Sequence, residues 1–388
     1  MYQIGEKEIE AVAKIIRGKK LFRYGPRSQC ARFEERYANY IGVKYARLVT
    51  SGTEALRAGL IGLEVGPGDE VIVPAATYMA TALAVLAAGA VPVIVDVDES
   101  LTLSPKAVEK AIGPCTRALL PVHMWGLPCD MNALMRIARK HNLVVVEDAC
   151  QAGGGGYRGK KLGSIGHMGC FSFNYYKNIS CGEGGAYVTN DDDAERRAQC
   201  VNECCGFYWN NERPDEHHFA SSGSRMSEIL AAIMNVQLGR LDKIIAGTRR
   251  QKKQILEGLA DTKLKPIKAN SLDDECGTDV GFILPTRGAA TAFSQRVLNS
   301  VIAGQTGRHV FTEWDPVLKQ KGGHHPAVDA YCMKENSKCR RNYPADLCAS
   351  SLDLLNRAVL LKTKPDAKKH ETNALIETFR KAAKEVLG

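Results

Sequence analysis

The sequence predicts an α/β fold with a mostly parallel central sheet, helices on both of its faces and a smaller C-terminal α+β domain. Short apolar runs rich in valine alternate with helical patterns from about residue 45 to residue 190. These runs lack polar alternation, which is typical of parallel strands buried on both faces. The length of 388 residues favours two domains over one core.

The elements follow in chain order. Residues 1–12 have the pattern of an amphipathic helix start, not of an apolar leader. The predicted strands are EVIVPAA (70–76), VPVIVDVD (91–98), RALLPVH (117–123), LVVVEDA (143–149), GCFSFNYYK (169–177) and GGAYVTN (184–190). The predicted helices are SPKAVEKAI (104–112), MNALMRIARKHN (131–142) and a long stretch over 227–260 that could join two domains. We divide the chain into a large domain, with the N-terminal helix, at 1–250 and a small domain at 251–388.

The composition argues against several classes of protein. The net charge of +9 comes from scattered residues, and the densest basic cluster, 249–253, lies in a helical pattern that predicts a solvated face, not a nucleic-acid site. The uncharged stretch 71–95 is interrupted by prolines and a glycine, so we predict no membrane span. Thirteen cysteines, an odd number with no CxxC pair, predict reduced thiols in a cytoplasm and no metal site.

A carboxylate lies at the end of a strand that the sequence predicts to be buried. Asp148 follows VVVE directly. Burying an ionised carboxylate costs on the order of several kcal/mol unless a partner compensates the charge. Ligands of open parallel sheets bind beyond the carboxyl ends of the strands. His123 and the loop after Pro74 also follow strands, so we expect these positions to gather near one site.

Two further patterns point to a cofactor. Ser51 and Glu54 have capping-box spacing, and a helix start there offers the N–H groups of Gly52 and Thr53 to an anion such as a phosphate. Lys177 lies in apolar company between a strand and a glycine-rich turn. Burial disfavours the ammonium form, and a neutral amine is a nucleophile that forms a Schiff base.

An imine-forming lysine, a phosphate site and a strand-end carboxylate together describe a pyridoxal-phosphate site. We expect the phosphate to bind Gly52, Thr53 and Ser172. The aldehyde then reacts with Lys177, and the protonated pyridine nitrogen is the partner that Asp148 lacks. Lys177 and Asp148 are therefore the predicted catalytic residues.

An ordered set of motifs resembles the DegT/DnrJ/StrS family of sugar aminotransferases, which have the type I, aspartate-aminotransferase-like fold. The motifs are SGTEAL, GPGDEVIVPAATYMATALAV, AGAVPVIVDVD, PVHMWG, VVEDACQA, GCFSF before Lys177, GEGGA and RMSEILAAI, between about residues 20 and 250. The resemblance implies that Gln151 lies beside the cofactor's phenolic oxygen and that Tyr78 stacks on its ring. It also implies a phosphate contact for Ser172, a substrate contact near Asn174, and a homodimer with shared sites.

Two positions depart from the family pattern. Relatives carry an Asn that reaches the partner subunit's phosphate, where this sequence has Gly223 between Ser222 and Ser224. The family's GD before the lysine strand is Gly166-His167 here. At the first departure, Ser222 and Ser224 are the candidate substitutes for that Asn, and the second departure is a candidate for substrate choice or a surface residue.

The resemblance implies transfer of an amino group from glutamate or glutamine to a keto-sugar or to a keto-cyclitol. Nucleotide-linked keto-sugars are the commonest substrates in the family, so we expect one here. A free keto-sugar acid such as an octulosonate stays open. The alternatives are a keto-sugar dehydratase, against which Lys177 argues, and a binding protein without turnover. His324 and His325 are substrate-contact candidates or loop caps, and Arg308 is a candidate for an anion contact or a surface ion pair.

Overall fold

The computed structural model describes residues 3–209 and 216–388. Its strands are β1 (Tyr45–Val49), β2 (Glu70–Pro74), β3 (Val91–Val95), β4 (Thr116–Leu119), β5 (Val144–Asp148), β6 (Gly156–Tyr157), β7 (Lys160–Lys161), β8 (Met168–Ser172), β9 (Gly185–Thr189), β10 (Lys265–Pro266), β11 (Asp279–Ile283), β12 (Val301–Ile302) and β13 (Ala358–Lys362). Its helices are α1 (Glu6–Arg17), α2 (Gln29–Ile41), α3 (Gly52–Gly62), α4 (Ala80–Ala87), α5 (Pro105–Ala111), α6 (Met131–Lys140), α7 (Asp192–Glu203), α8 (Gly206–Trp209), α9 (Glu228–Leu238), α10 (Leu241–Gly258), α11 (Arg287–Arg296), α12 (Asp315–Leu318), α13 (Ala349–Arg357) and α14 (Lys369–Leu387).

Seven strands form the large sheet in the order β1-β9-β8-β5-β4-β2-β3. Strand β9 is antiparallel to both of its neighbours, whereas β8, β5, β4, β2 and β3 pair in parallel. The mostly parallel sheet predicted from the valine-rich runs is therefore confirmed. Strand β1 completes the sheet at one edge, where its short half-buried run gave only a weak sequence signal. The parallel strands β2, β4, β5 and β8 end at one edge of the sheet, as the site prediction requires.

Successive residues of the central strand β5 face the two layers that cover the sheet. Val146 packs into the layer that contains α3, α4 and α7, and Val145 packs into the layer that contains α2, α6 and α9. Both valines are fully buried. Because strand side chains alternate, Asp148 points to the same side as Val146, and Glu147 points to the other side.

The second sheet has the order β10-β11-β13-β12, is antiparallel throughout, and packs on α11 and α14. Between β12 and β13 the chain returns to the large sheet, where Trp314, Val317 and Tyr331 join the apolar cluster of Val71. Helix α10 runs through residue 250 without a break. The division of the chain at that residue stays a prediction.

Two expectations about the stretch 227–260 need correction. It forms two helices, because α9 ends at Leu238 and the chain turns at Gly239 and Arg240 before α10 begins. The basic cluster at 249–253 is not a uniformly solvated face either. Lys252 is buried and forms an ion pair with Glu275, because α10 packs against the chain before β11.

The remaining global features concern membranes and thiols. No helix within 3–209 and 216–388 combines the length and apolarity that crossing a bilayer requires. All 13 cysteines lie in these ranges and are free thiols.

Candidate active site

Asp148 ends β5 with a side chain that is almost fully buried, at 4% exposure. Its Oδ2 accepts a hydrogen bond from Thr81 Oγ1 at 2.8 Å, and its Oδ1 accepts one from the Cys150 N–H at 3.0 Å. Both of these donors are uncharged groups. The negative charge of Asp148 is therefore not balanced by these donors, and each carboxylate oxygen can accept a second hydrogen bond. A cationic group such as a protonated ring nitrogen would provide both.

The neighbouring carboxylate, Glu147, serves a different purpose on the opposite side of the sheet. It accepts the Nε2–H of His123 at 3.0 Å and the N–H groups of Gly163, Ile165 and Gly166 at 2.9, 2.6 and 2.5 Å. The Cys129 N–H donates to His123 Nδ1, so the ring proton lies on Nε2, facing Glu147. The expectation that His123 joins the Asp148 site is wrong, because strand alternation points Glu147 and its histidine away from it.

The start of α3 lies directly against the end of β8. Ser51 Oγ accepts the Glu54 N–H, as the capping-box spacing predicts, and the first-turn N–H groups of Gly52 and Thr53 have no acceptor within the helix. A Cβ added at Gly52 would lie 2.8 Å from Ser172 Cβ and 2.9 Å from Cys150 Sγ. Only glycine allows this approach, which brings Gly52, Thr53 and Ser172 into one anion-binding cradle that suits a phosphate.

Lys177 is half-buried in the loop that joins β8 to the antiparallel strand β9. The Lys177 N–H donates to Asn174 O at 3.0 Å, and the next residue, Asn178, donates from Nδ2 to Gly153 O at 2.9 Å. Burial raises the pKa of the Cys150 thiol well above its usual value, Asp148 raises that pKa further and Lys177 lowers it. Both charges therefore lie near enough to this thiol to act on it.

Gln151 lies one short turn beyond Asp148. Its Oε1 accepts the N–H of Trp125 at 3.2 Å, and Trp125 has a left-handed backbone with φ of 54°. Because the oxygen of the amide is used by Trp125, the NH2 group is left as the donor. A donor is what the phenolic oxygen of the cofactor requires, so the orientation fits the predicted role of Gln151.

Tyr78 follows β2 and is 38% exposed. The His309 ring lies 5.6 Å from its ring, and the Arg308 guanidinium lies 5.6 Å from the same ring centre. Burial lowers the pKa of His309, and the charges of Lys177 and Arg308 lower it further. Sequence reasoning missed His309, because only the docking of 306–311 on the loop after β2 brings it to the site.

Other candidate residues have their polar atoms engaged locally or lie apart. Asn174 donates from Nδ2 to Glu183 and accepts the Tyr176 N–H, both in the lysine loop. His324 and His325 lie in an exposed loop, where His325 Nδ1 accepts the Ala327 N–H as a loop cap. Their substrate roles stay predictions.

The two departures from the family pattern have clear positions. Gly223 is exposed, and its backbone forms an isolated antiparallel β-bridge with Glu203. Ser224 is buried, and its hydroxyl donates to Asn202 Oδ1 at 3.3 Å. Ser222 is exposed and is the freer hydroxyl of the two. His167 lies at the start of β8, the end of the strand remote from Ser172, and its Nδ1 accepts the Val145 N–H.

One group of thiols has the spacing of metal ligands. Within the described residues, the ligand atoms of Glu203, Cys204 and Cys205 lie within 4.8 Å of one another. The Glu203 carboxylate already forms an ion pair with Arg225 and accepts the Cys205 N–H at 2.9 Å. Its charge is thus balanced inside the protein, and we assign it no metal.

The parallel sheet, the buried strand-end carboxylate and the lysine loop define the class: this is a type I pyridoxal-phosphate fold. The chain belongs to the DegT/DnrJ/EryC1/StrS aminotransferase family, whose model matches residues 2–313. Pyridoxal phosphate is accordingly its cofactor, and the cradle at Gly52, the uncompensated Asp148 and the half-buried Lys177 fit that group.

Named relatives match part of the chain. A GDP-perosamine synthase of Caulobacter vibrioides is 43% identical over 219 residues, which are 56% of this chain and 58% of the relative. A dTDP-3-amino-3,4,6-trideoxy-alpha-D-glucose transaminase of Streptomyces venezuelae is 41% identical over 257 residues, 66% of each chain. The chain thus spans less than two thirds of the length of these relatives. The structure of Streptomyces venezuelae DesV with a ketimine intermediate has a TM-score of 0.75 at 31% identity, covering 97% of this chain and 94% of that one.

Proposed function

We propose that the protein is a pyridoxal-phosphate-dependent aminotransferase. It moves an amino group from glutamate or glutamine to a ketone. The ketone that we favour is a nucleotide-linked keto-sugar, and the other candidate is a keto-cyclitol. The observation that carries the proposal is the buried carboxylate of Asp148, whose hydrogen-bond donors are the neutral Thr81 hydroxyl and Cys150 N–H, and which acts together with Lys177 on the Cys150 thiol. The named relatives that act on nucleotide-linked sugars support this substrate class.

When bound, pyridoxal phosphate supplies an aldehyde that takes up the amino group and a ring that withdraws electrons. In the proposed mechanism, Asp148 holds the proton on the ring nitrogen through its carboxylate. The Lys177 amine would accept the proton from the Cα of the donor amino acid and would deliver it to the carbon of the cofactor's aldehyde group. The N–H groups of Gly52 and Thr53 and the Ser172 hydroxyl hold the phosphate. Gln151 donates its NH2 to the phenolic oxygen.

We further propose a homodimer, which exposed aromatic side chains support. Phe22, Tyr24 and Trp209 form one cluster, with the Phe22 and Trp209 rings 5.2 Å apart. Phe22 and Trp209 are 54% and 55% exposed. Light scattering on the purified protein tests this assembly, and a monomer at all concentrations contradicts it.

Absorption and steady-state kinetics test the proposed reaction. We expect the purified protein with its cofactor to absorb in the violet, borohydride to bleach this band, and Lys177→Ala to lack it. A panel of keto-sugars with glutamate or glutamine should give an aminated product and parallel double-reciprocal plots, because both half-reactions use one site. Intersecting plots refute the two-step transfer. Colour together with loss of a substrate hydroxyl, and no aminated product, favours the dehydratase instead.

A further inference from the structure

Two buried threonines lie behind the carboxylate of Asp148. Thr77 and Thr81 are each 1% exposed and lie on the loop after β2 and the first turn of α4. Their hydroxyl oxygens are 2.7 Å apart, and Thr81 Oγ1 is 2.8 Å from Asp148 Oδ2. They are among the few polar side chains in the uncharged stretch 71–95.

The direction of these hydrogen bonds follows from the charge. An ionised carboxylate only accepts, so Thr81 donates its single hydroxyl proton to Asp148. The lone pairs of the Thr81 oxygen then accept the proton of Thr77, for which the alternative acceptor, Tyr78 O, is farther away at 3.4 Å. The result is a chain of two donors that ends on one oxygen of Asp148.

This chain stabilises a particular state of Asp148. A hydrogen bond to the charged form favours that form, and a β-branched side chain has few alternative rotamers. The other oxygen is fixed by the backbone of Cys150, whose thiol stays protonated because burial raises its pKa. Lys177 is the other charged group that acts on this thiol. Both oxygens of Asp148 thus have one fixed neutral donor each, with a second lone pair left on each oxygen.

We propose that Thr81 is a positioning residue for the cofactor. Its hydroxyl fixes the plane of the Asp148 carboxylate by donating a hydrogen bond to it, so that the carboxylate is held in place to accept the proton of the ring nitrogen. Thr77 acts through Thr81 and has a smaller effect. The inference rests on the proposed placement of the ring nitrogen at Asp148, and it concerns binding and protonation, not the identity of the ketone.

Two measurements without substrate test the proposal. Apoprotein is titrated with pyridoxal phosphate, and the nitrogen-15 chemical shift of labelled cofactor reports whether the bound ring is protonated. Thr81→Val removes the hydroxyl and keeps the branched shape. We expect it to weaken cofactor binding about tenfold, as the loss of a hydrogen bond to a charged group does, and to move the shift towards the unprotonated value. Thr81→Ser should behave as wild type, and Thr77→Val should change binding by less than about threefold.

Two results overturn the proposal. Thr81→Val can match wild type in both measurements, or Thr81→Ser can lose as much as Thr81→Val, which would show that keeping the hydroxyl does not preserve cofactor binding. Thr81→Ala is a second hydroxyl-free variant should Thr81→Val not fold. A wild-type protein that keeps a protonated ring and these variant effects but transfers no amine refutes the proposed function alone. An unprotonated ring in an active wild type refutes this inference and the proposed role of Asp148, but leaves the amine transfer itself standing.

Discussion

The close approach of α3 to β8 makes Gly52 of the proposed phosphate cradle sensitive to substitution by any residue with a Cβ atom. In Gly52→Ala, the new Cβ would lie 2.8 Å from Ser172 Cβ, where ordinary contacts begin at 3.4 Å, a shortfall of 0.6 Å (3.4 minus 2.8). Cys150 Sγ, at 2.9 Å, blocks a second direction. Overpacking of this kind costs about 1–3 kcal/mol, so we expect the apoprotein to lose about that much free energy of unfolding.

The same substitution should weaken cofactor binding. The strain is relieved by moving the start of α3 away from Ser172, which separates the N–H groups of Gly52 and Thr53 from the serine hydroxyl. Loss of one hydrogen bond to a charged phosphate is worth about 1.5–3 kcal/mol, or about tenfold or more in affinity. Titration of the apoprotein by absorbance measures the affinity, and urea unfolding measures the stability.

Gly153→Ala is the matched control, because a Cβ at Gly153 would meet no atom within 4 Å. This residue lies in the turn after Asp148 and has no positive φ. We expect its stability to change by less than about 0.5 kcal/mol and its cofactor affinity to stay unchanged. If Gly52→Ala unfolds at the same urea concentration as wild type and binds the cofactor equally well, the proposed cradle at α3 is refuted.

Three further predictions follow. Lys177→Arg keeps the charge but should abolish the violet band and lower amine transfer at least about a hundredfold, the lower range for losing a general acid–base; transfer at the wild-type rate would contradict the role of this amine. Glu147→Gln should lower the free energy of unfolding by about 1–3 kcal/mol, because one amide oxygen cannot serve His123 and three backbone donors; an unchanged urea midpoint would count against this network. Gly223→Asn should fold normally, because the new Cβ would contact only Arg225, at 3.6 Å or more. It should bind the cofactor more tightly in the dimer, because the Asn restores the family's contact to the partner subunit's phosphate. Equal or weaker binding in a cofactor titration would contradict this contact.

The sequence was sufficient for features that depend on local pattern. The valine-rich run ending in Asp148 predicts both the strand and the strand-end carboxylate, because a strand buried on both faces admits few polar residues. The capping-box spacing at Ser51 and Glu54 likewise predicts the hydrogen bond at the start of α3. These features need only neighbours within a few residues.

Features that depend on distant contacts could not be predicted in this way. The pairing of Glu147 with His123 joins two strands, and strand alternation separates it from Asp148, although the two acids are adjacent in sequence. His309 reaches Tyr78 only through the return of the chain to the large sheet. Thr77 and Thr81 offered a signal, namely two hydroxyls four residues apart in an uncharged stretch, but their acceptor lies 67 residues further along the chain.

The antiparallel strand β9 has a consequence for how the protein is made. It lies between β1 and β8, so Tyr45 pairs with Thr189 and Val49 with Gly185. During synthesis, β1 and the turn between β1 and α3 have no sheet partner until residue 189 has left the ribosome. A nascent chain halted before β9 should therefore fail to capture the vitamin B6 coenzyme, even though it already carries the carboxylate and the lysine.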